Sequence, residues 1–156
     1  MRNLPLQSYR ISLSLLKIII MFGKFQQSHL RLEIEAPAKI VRDFLLHPES
    51  YSKWLWYQRF SSPMPEKLYS GFTFTSWTGL IEVRHQVQVA SDNCLRLLLS
   101  QGIDGYHEWY WGEGWVQSRL EGISLLPLNL GQTLTLSRLR ECLTNEAKKV
   151  VSSDRN

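Results

Sequence analysis

The sequence predicts an α+β domain, a curved antiparallel sheet of about six or seven strands wrapped around one long C-terminal helix, with two short helices after the first strand. Three observations carry that expectation. Between residues 69 and 122, apolar and polar side chains alternate in short runs separated by turn residues, which is the period of half-buried strands. The run DGYHEWYWGEGWVQSRLEG at residues 104–122 holds three of the six tryptophans and breaks at Gly112, Glu113 and Gly114, so it reads as a hairpin. Beyond Pro127, the residues Leu136, Leu139, Leu143, Ala147 and Val150 recur at offsets of three and four, the stripe of one helix face.

Taken in order, residues 1–28 stand apart from the domain expected over 29–151, and 152–156 form a tail. The apolar stretch from Ile11 to Phe22 is interrupted by Lys17 and is shorter than the ~20 apolar residues that cross a bilayer. Three readings of it compete: a peripheral membrane contact through residues 10–22, an extra helix packed on the domain, and a true start at Met21. The last is preferred, and the membrane helix comes second.

The segment HLRLEIE, from His29 to Glu35, sets Leu30, Leu32 and Ile34 against charged residues and reads as a strand. Pro37 suits the first turn of a helix, which continues through Ile40, Val41, Phe44 and Leu45. Pro48 disfavours helical geometry at His47 and stops it. A second short helix runs from Pro48 to Trp54. A short strand is expected within residues 55–61, ahead of Pro63 and Pro65.

Phe72 and Phe74 then alternate with Thr73, Thr75 and Trp77. Ile81, Val83, Val87 and Val89 alternate with Glu82, Arg84, Gln86 and Gln88. A turn cluster at Ser91, Asp92 and Asn93 leads to a leucine-rich strand from Cys94, and then to the Trp-rich hairpin. The terminal helix is expected from Asn129 to about Val151.

Composition narrows the function. At 156 residues the chain fits one domain and can bury a core without disulfides. The net charge of +4 belongs to the N-terminus: Arg2, Arg10, Lys17 and Lys24 are the only charges before His29, and 14 basic residues then balance 14 acidic ones. No basic cluster follows a strand or helix face, so no nucleic-acid partner is expected. Cys94 and Cys142 make neither a disulfide framework nor a zinc pattern, and fit reduced thiols in a cytoplasmic protein.

A sheet of this size must cover its apolar face, and the terminal helix is the element long enough to do so. A curved sheet and a helix leave room between them, which is a setting for small-molecule sites. His85 shares its face with Val83 and Val87 and is the first polar candidate in such a cavity. The inward face of the next candidate strand stays open: His107 goes with Trp109 and Trp111, Glu108 with Tyr106 and Tyr110. If His107 faces in, it can meet His85 across neighbouring strands, and a histidine pair can act as acid and base. No metal is expected, because a site needs three or four convergent ligands, and no cofactor is expected either.

Arg119 shares a face with Trp115, Gln117 and Glu121. Its plain reading is a solvated side chain with a cross-strand partner; its sharper reading is an anchor for an acidic head group. Trp54, Trp77, Trp109 and Trp111 are candidate cavity walls, with Phe74, Val83, Leu139 and Leu143. Gly112 and Gly114 open no helix and so do not make a dinucleotide site. No G-x-S-x-G supports a nucleophile.

The opening IEAPAKIVRDFLLHPESYSKW at residues 34–54, the segment LYSGFTF at 68–74 and the stretch 105–143 resemble the SRPBCC superfamily, the START-like or birch-pollen-allergen helix-grip proteins, in their polyketide cyclase/dehydrase and lipid-transport branch. The resemblance covers roughly residues 29–145. It implies a helix-grip fold and an internal hydrophobic cavity. The superfamily holds lipid carriers, cyclases, hormone receptors and enzyme subunits, and it has no universal catalytic motif to carry over. The expected function is binding or transport of a hydrophobic small molecule (a lipid, isoprenoid or polyketide-like compound). The rivals are a cyclase/dehydratase-like enzyme and a protein-interaction module.

Overall fold

The computed structural model describes residues 22–154. The expectations of a membrane-touching or packed helix before the domain, and of a start at Met21, lie essentially outside the described residues.

Seven strands form one antiparallel sheet: β1 (Lys24–Glu33), β2 (Arg59–Phe60), β3 (Thr73–Thr78), β4 (Ile81–Ala90), β5 (Cys94–Gln101), β6 (Asp104–Gly112) and β7 (Trp115–Ser124). Their order across the sheet is β1-β7-β6-β5-β4-β3-β2. Every strand therefore pairs with its sequence neighbour except β1, which closes on β7. Between β1 and β2 lie α1 (Ala38–Leu46), a single 3-10 turn (Pro48–Ser50) and α2 (Tyr51–Trp54); α3 (Leu128–Ser153) ends the fold. This is the expected α+β arrangement.

β1 starts at Lys24, ahead of the domain boundary expected at residue 29. The inward row continues below Leu30 through two polar side chains, Ser28 and Gln26, so alternation of direction outlasts alternation of polarity. Both find partners. The Gln26 amide donates to the carbonyls of Ser124 (3.0 Å) and Leu126 (2.8 Å). Its own oxygen accepts the Leu128 N–H at 3.1 Å, one of the free donors at the start of α3. The Ser28 hydroxyl accepts from the Asn129 amide at 2.8 Å.

Val89 departs from the predicted inward row. The ladder between β4 and β5 shifts between Val87 and Val89, so Val89 lies opposite Arg96 while Ala90 lies opposite Leu95. One extra residue in a bulge reverses the facing of the residues after it, and Val89 is exposed as a result.

α1 buries Val41, Phe44, Leu45 and Leu46. It stops where expected, with His47 extended ahead of Pro48. The Ser50 hydroxyl donates to the Phe44 carbonyl (2.7 Å) and the Tyr51 hydroxyl to the Leu45 carbonyl (2.8 Å), which clasps α2 onto the end of α1. Trp54 then meets Trp109 edge to face, with ring centroids 6.1 Å apart. α3 buries Leu136, Leu139 and Leu143 in the core. Its first turns leave Leu130 and Leu134 exposed.

β6 and β7 come close enough at one point to require glycine. Gly105 pairs with Gly122, and a Cβ on Gly122 would sit 2.7 Å from the Asp104 carbonyl oxygen.

Candidate functional site

The inward row of each strand is fixed by register. Phe74 lies opposite His85, His85 opposite Leu99, Leu97 opposite His107, and His107 opposite Leu120. All of these face α3. The open question about β6 is thus resolved: His107, Trp109 and Trp111 point inward, and Tyr106, Glu108 and Tyr110 point outward. The outward face suits its residues. Arg96 pairs with Glu108 at 2.8 Å and lies over the Tyr106 ring at 4.7 Å.

The middle of α3, at Leu136, Leu139 and Leu143, packs into the core, while its first two turns leave a gap beside the sheet. The gap is a cavity of about 530 Å³. Its sheet wall includes Val83, His85, Leu99, His107 and Leu120, and its helix wall includes Leu128, Gly131, Gln132 and Thr135. A smaller chamber of about 100 Å³ lies beyond it, walled by Trp54, Phe74, Leu95, Leu97 and Trp109. Gln58, His85, His107 and Thr135 border both spaces, so the histidines sit at the junction. Tyr57 and Thr135 share a hydroxyl–hydroxyl bond of 2.7 Å, tying the segment after α2 to α3.

The histidines do not stand on neighbouring strands, as the sequence suggested; β5 lies between them. His85 stacks on Phe74, with centroids 4.6 Å apart and planes 6° from parallel. Its Nε2 is 2.8 Å from the Ser76 hydroxyl. His107 Nε2 is 2.8 Å from the hydroxyl of Ser118, which is wholly buried.

The proton directions around His107 follow from one carbonyl. Gln132 Nε2 lies 3.3 Å from the Ser28 carbonyl oxygen, which can only accept, so the nitrogen end of the amide is fixed. The same nitrogen donates to the Ser118 hydroxyl at 2.8 Å. With that bond accepted, the Ser118 hydroxyl is placed to donate to His107 Nε2, in the neutral tautomer that carries its ring proton on Nδ1. The chain Gln132→Ser118→His107 joins β1, β7, β6 and α3 at the cavity wall. Among the described residues, three buried polar atoms on chamber-lining side chains find no partner: Trp54 Nε1, His85 Nδ1 and Gln132 Oε1.

Burial lowers the pKa of His85 from 6.5 to about 4. It lowers that of His107 to about 3, with the nearby His85 adding to the effect. Both imidazoles are neutral at pH 7. No Asp, Glu, Lys or Arg among the described residues lines either chamber.

The remaining candidates separate by position. Val83, His85 and His107 border the large cavity, and Trp54, Phe74 and Trp109 border the small chamber. Trp111, Leu139 and Leu143 are buried in the core and border neither. Trp77 and Arg119 lie on the outer face, because each stands one residue out of step with an inward row. Trp77 lies beneath Arg59 at 5.8 Å. Arg119 bonds through Nε at 2.7 Å to Glu121, two residues on in the same strand rather than across it. Sequence reasoning missed Gln132, Ser118 and Ser76. Gln132 was within reach, since it stands four residues ahead of Leu136 on the stripe that enters the core.

A seven-stranded antiparallel sheet gripping one long terminal helix, with two short helices after its first strand, is the helix-grip fold. No protein-family model and no curated protein matches the sequence. Solved structures match through their shape. Major latex-like protein 151 from Panax ginseng superposes with a TM-score of 0.61 at 6% identity, over 80% of this chain and 99% of that one. Protein CV1439 from Chromobacterium violaceum gives 0.60 at 16% identity, over 76% and 96%. Truncated norcoclaurine synthase from Thalictrum flavum gives 0.57 at 10% identity, over 77% and 94%. At these identities the likeness is one of fold.

Proposed function

We propose that this protein binds a hydrophobic small molecule between the sheet and the first two turns of α3. The observation that carries the reading is the cavity of about 530 Å³, which falls within the ~300–1,000 Å³ typical of small-molecule sites. Its walls are mostly apolar, with a few hydroxyl, amide and imidazole groups gathered at one place, the composition that holds an apolar body and fixes its orientation.

A cyclase/dehydratase-like enzyme would use His85 or His107 as acid and base. General acid–base chemistry works best when the pKa lies near the operating pH. Burial holds both imidazoles well below it, which favours hydrogen bonding to a ligand over proton transfer. An interaction module would gather its tryptophans on the surface. Trp54, Trp109 and Trp111 are buried instead, and Trp56 is the one tryptophan that is largely exposed among the described residues.

The test is native mass spectrometry of gently purified protein, followed by organic extraction. The expected result is an apolar compound carried at one per chain. A protein that arrives empty, and then fails to bind any member of a broad lipid panel, overturns the reading.

A further inference from the structure

The chemistry of the cavity wall restricts the ligand further. We infer, building on the binding reading, that the ligand is an uncharged apolar molecule bearing a hydroxyl group, and that this hydroxyl sits at the junction of the two chambers beside His85 and His107.

Two independent features of the wall lead there. The first is the lack of charge. None of the described residues lining either chamber carries a formal charge at neutral pH apart from any the histidines could acquire. The cations on the adjoining strands, Arg96 and Arg119, lie on the outer face and are already engaged by Glu108 and Glu121. A carboxylate or phosphate drawn into this space would leave water without a counter-ion, which is costly in an apolar setting. The histidines offer little relief, because burial disfavours their charged forms.

The second feature is where the polar groups stand. His85, His107, Gln58 and Thr135 border both chambers, and Gln132 lies on the helix wall of the large one. In the tautomer in which Ser118 donates to His107 Nε2, the Nδ1 proton is available to a ligand. Trp54 Nε1, a donor, and Gln132 Oε1, an acceptor, are buried without partners on side chains that line the chambers. An unpaired buried polar atom is costly. A hydroxyl can accept from one neighbour and donate to another, so it suits a wall that offers both donors and acceptors. An ether or ester can only accept, and an alkane can do neither.

The test compares 1-octanol, octane and octanoate on the full-length, lipid-stripped protein at pH 8, by titration followed with NMR of backbone amides. Octanol is expected to bind at least about tenfold more tightly than octanoate. It is also expected to bind at least as tightly as octane, although octane is the more hydrophobic; octane would win if the cavity were an indifferent apolar sink. Resonances of His85 and His107 should shift with octanol and much less with octane. Octanoate binding as tightly as octanol would overturn the inference and leave the binding reading standing. Octane binding more tightly than octanol would overturn the hydroxyl contact. If no member of the series binds, the binding reading falls and this inference with it.

Discussion

At the scale of single residues, the buried histidines connect the cavity to stability. In an unfolded chain each titrates near 6.5, whereas burial lowers His85 to about 4 and His107 to about 3. As pH falls below 6.5 the unfolded chain takes up these protons first. The stability that goes with the neutral imidazoles is fully present above 6.5, and is lost progressively from there down to the folded values. The slope is about 1.4 kcal/mol per pH unit for each histidine. Replacing His107 with Asn should therefore reduce the drop in unfolding free energy between pH 7 and pH 5 by about 2 kcal/mol, measured by urea denaturation. Equal drops in variant and parent would show that His107 is not held neutral by the fold. Leu139 makes a contrast. It is fully buried but borders neither chamber. Leu139→Ala should cost about 2–5 kcal/mol of stability and leave ligand affinity at moderate temperature nearly unchanged, which calorimetry and a binding titration would check separately.

At the scale of elements, α3 is two structures in one helix. Its middle was legible in the sequence, because Leu136, Leu139 and Leu143 must pack and packing demands a stripe. Its N-terminal part was not, because a cavity wall need only leave space. Gly131 and Gln132 are weak helix signals that make sense once the gap beside them is seen. The strands divide in the same way. The inward row of β4 could be read from alternation as far as Val87. β6 could not, since large aromatics occupy both of its faces, and the decision rests on Arg96 and Glu108 pairing across the outer surface. The bulge at Val87 and Val89 left no mark in the polarity pattern. Gly131 offers a test of the helix reading. A Cβ there meets nothing within 4 Å, so Gly131→Ala should raise stability by up to about 1 kcal/mol. Gly131→Phe should instead intrude on the cavity and lower occupancy by the carried compound, read by native mass spectrometry, while circular dichroism stays that of the parent. Unchanged occupancy would place the ligand elsewhere.

At the scale of the whole molecule, the way α3 is attached along its length bears on how a ligand enters. The middle of the helix is held by Leu136, Leu139 and Leu143, buried to 2% exposure or less. Its first two turns, apart from Leu128, are held by hydrogen bonds: Gln26 at its first N–H, Asn129 to Ser28, Gln132 to Ser28 and Ser118, and Thr135 to Tyr57. Most of these reach back to β1, the strand most distant in sequence, at residues that precede the boundary expected from polarity alone. Net contributions of such bonds are about 0.5–1.5 kcal/mol each, less than a buried leucine supplies. Local opening should therefore begin at the cavity end. Hydrogen exchange should show the amides of residues 132–136 exchanging faster than those of 139–146, and Gln26→Ala should widen the difference by freeing the first turn from β1 and β7. A bound apolar ligand should narrow it, because binding to the closed form alone favours that form by mass action. A uniform exchange rate along α3, unchanged in Gln26→Ala, would mean that the helix opens as one piece and that entry lies elsewhere, with the segment around Tyr57 next to be tested through Tyr57→Phe.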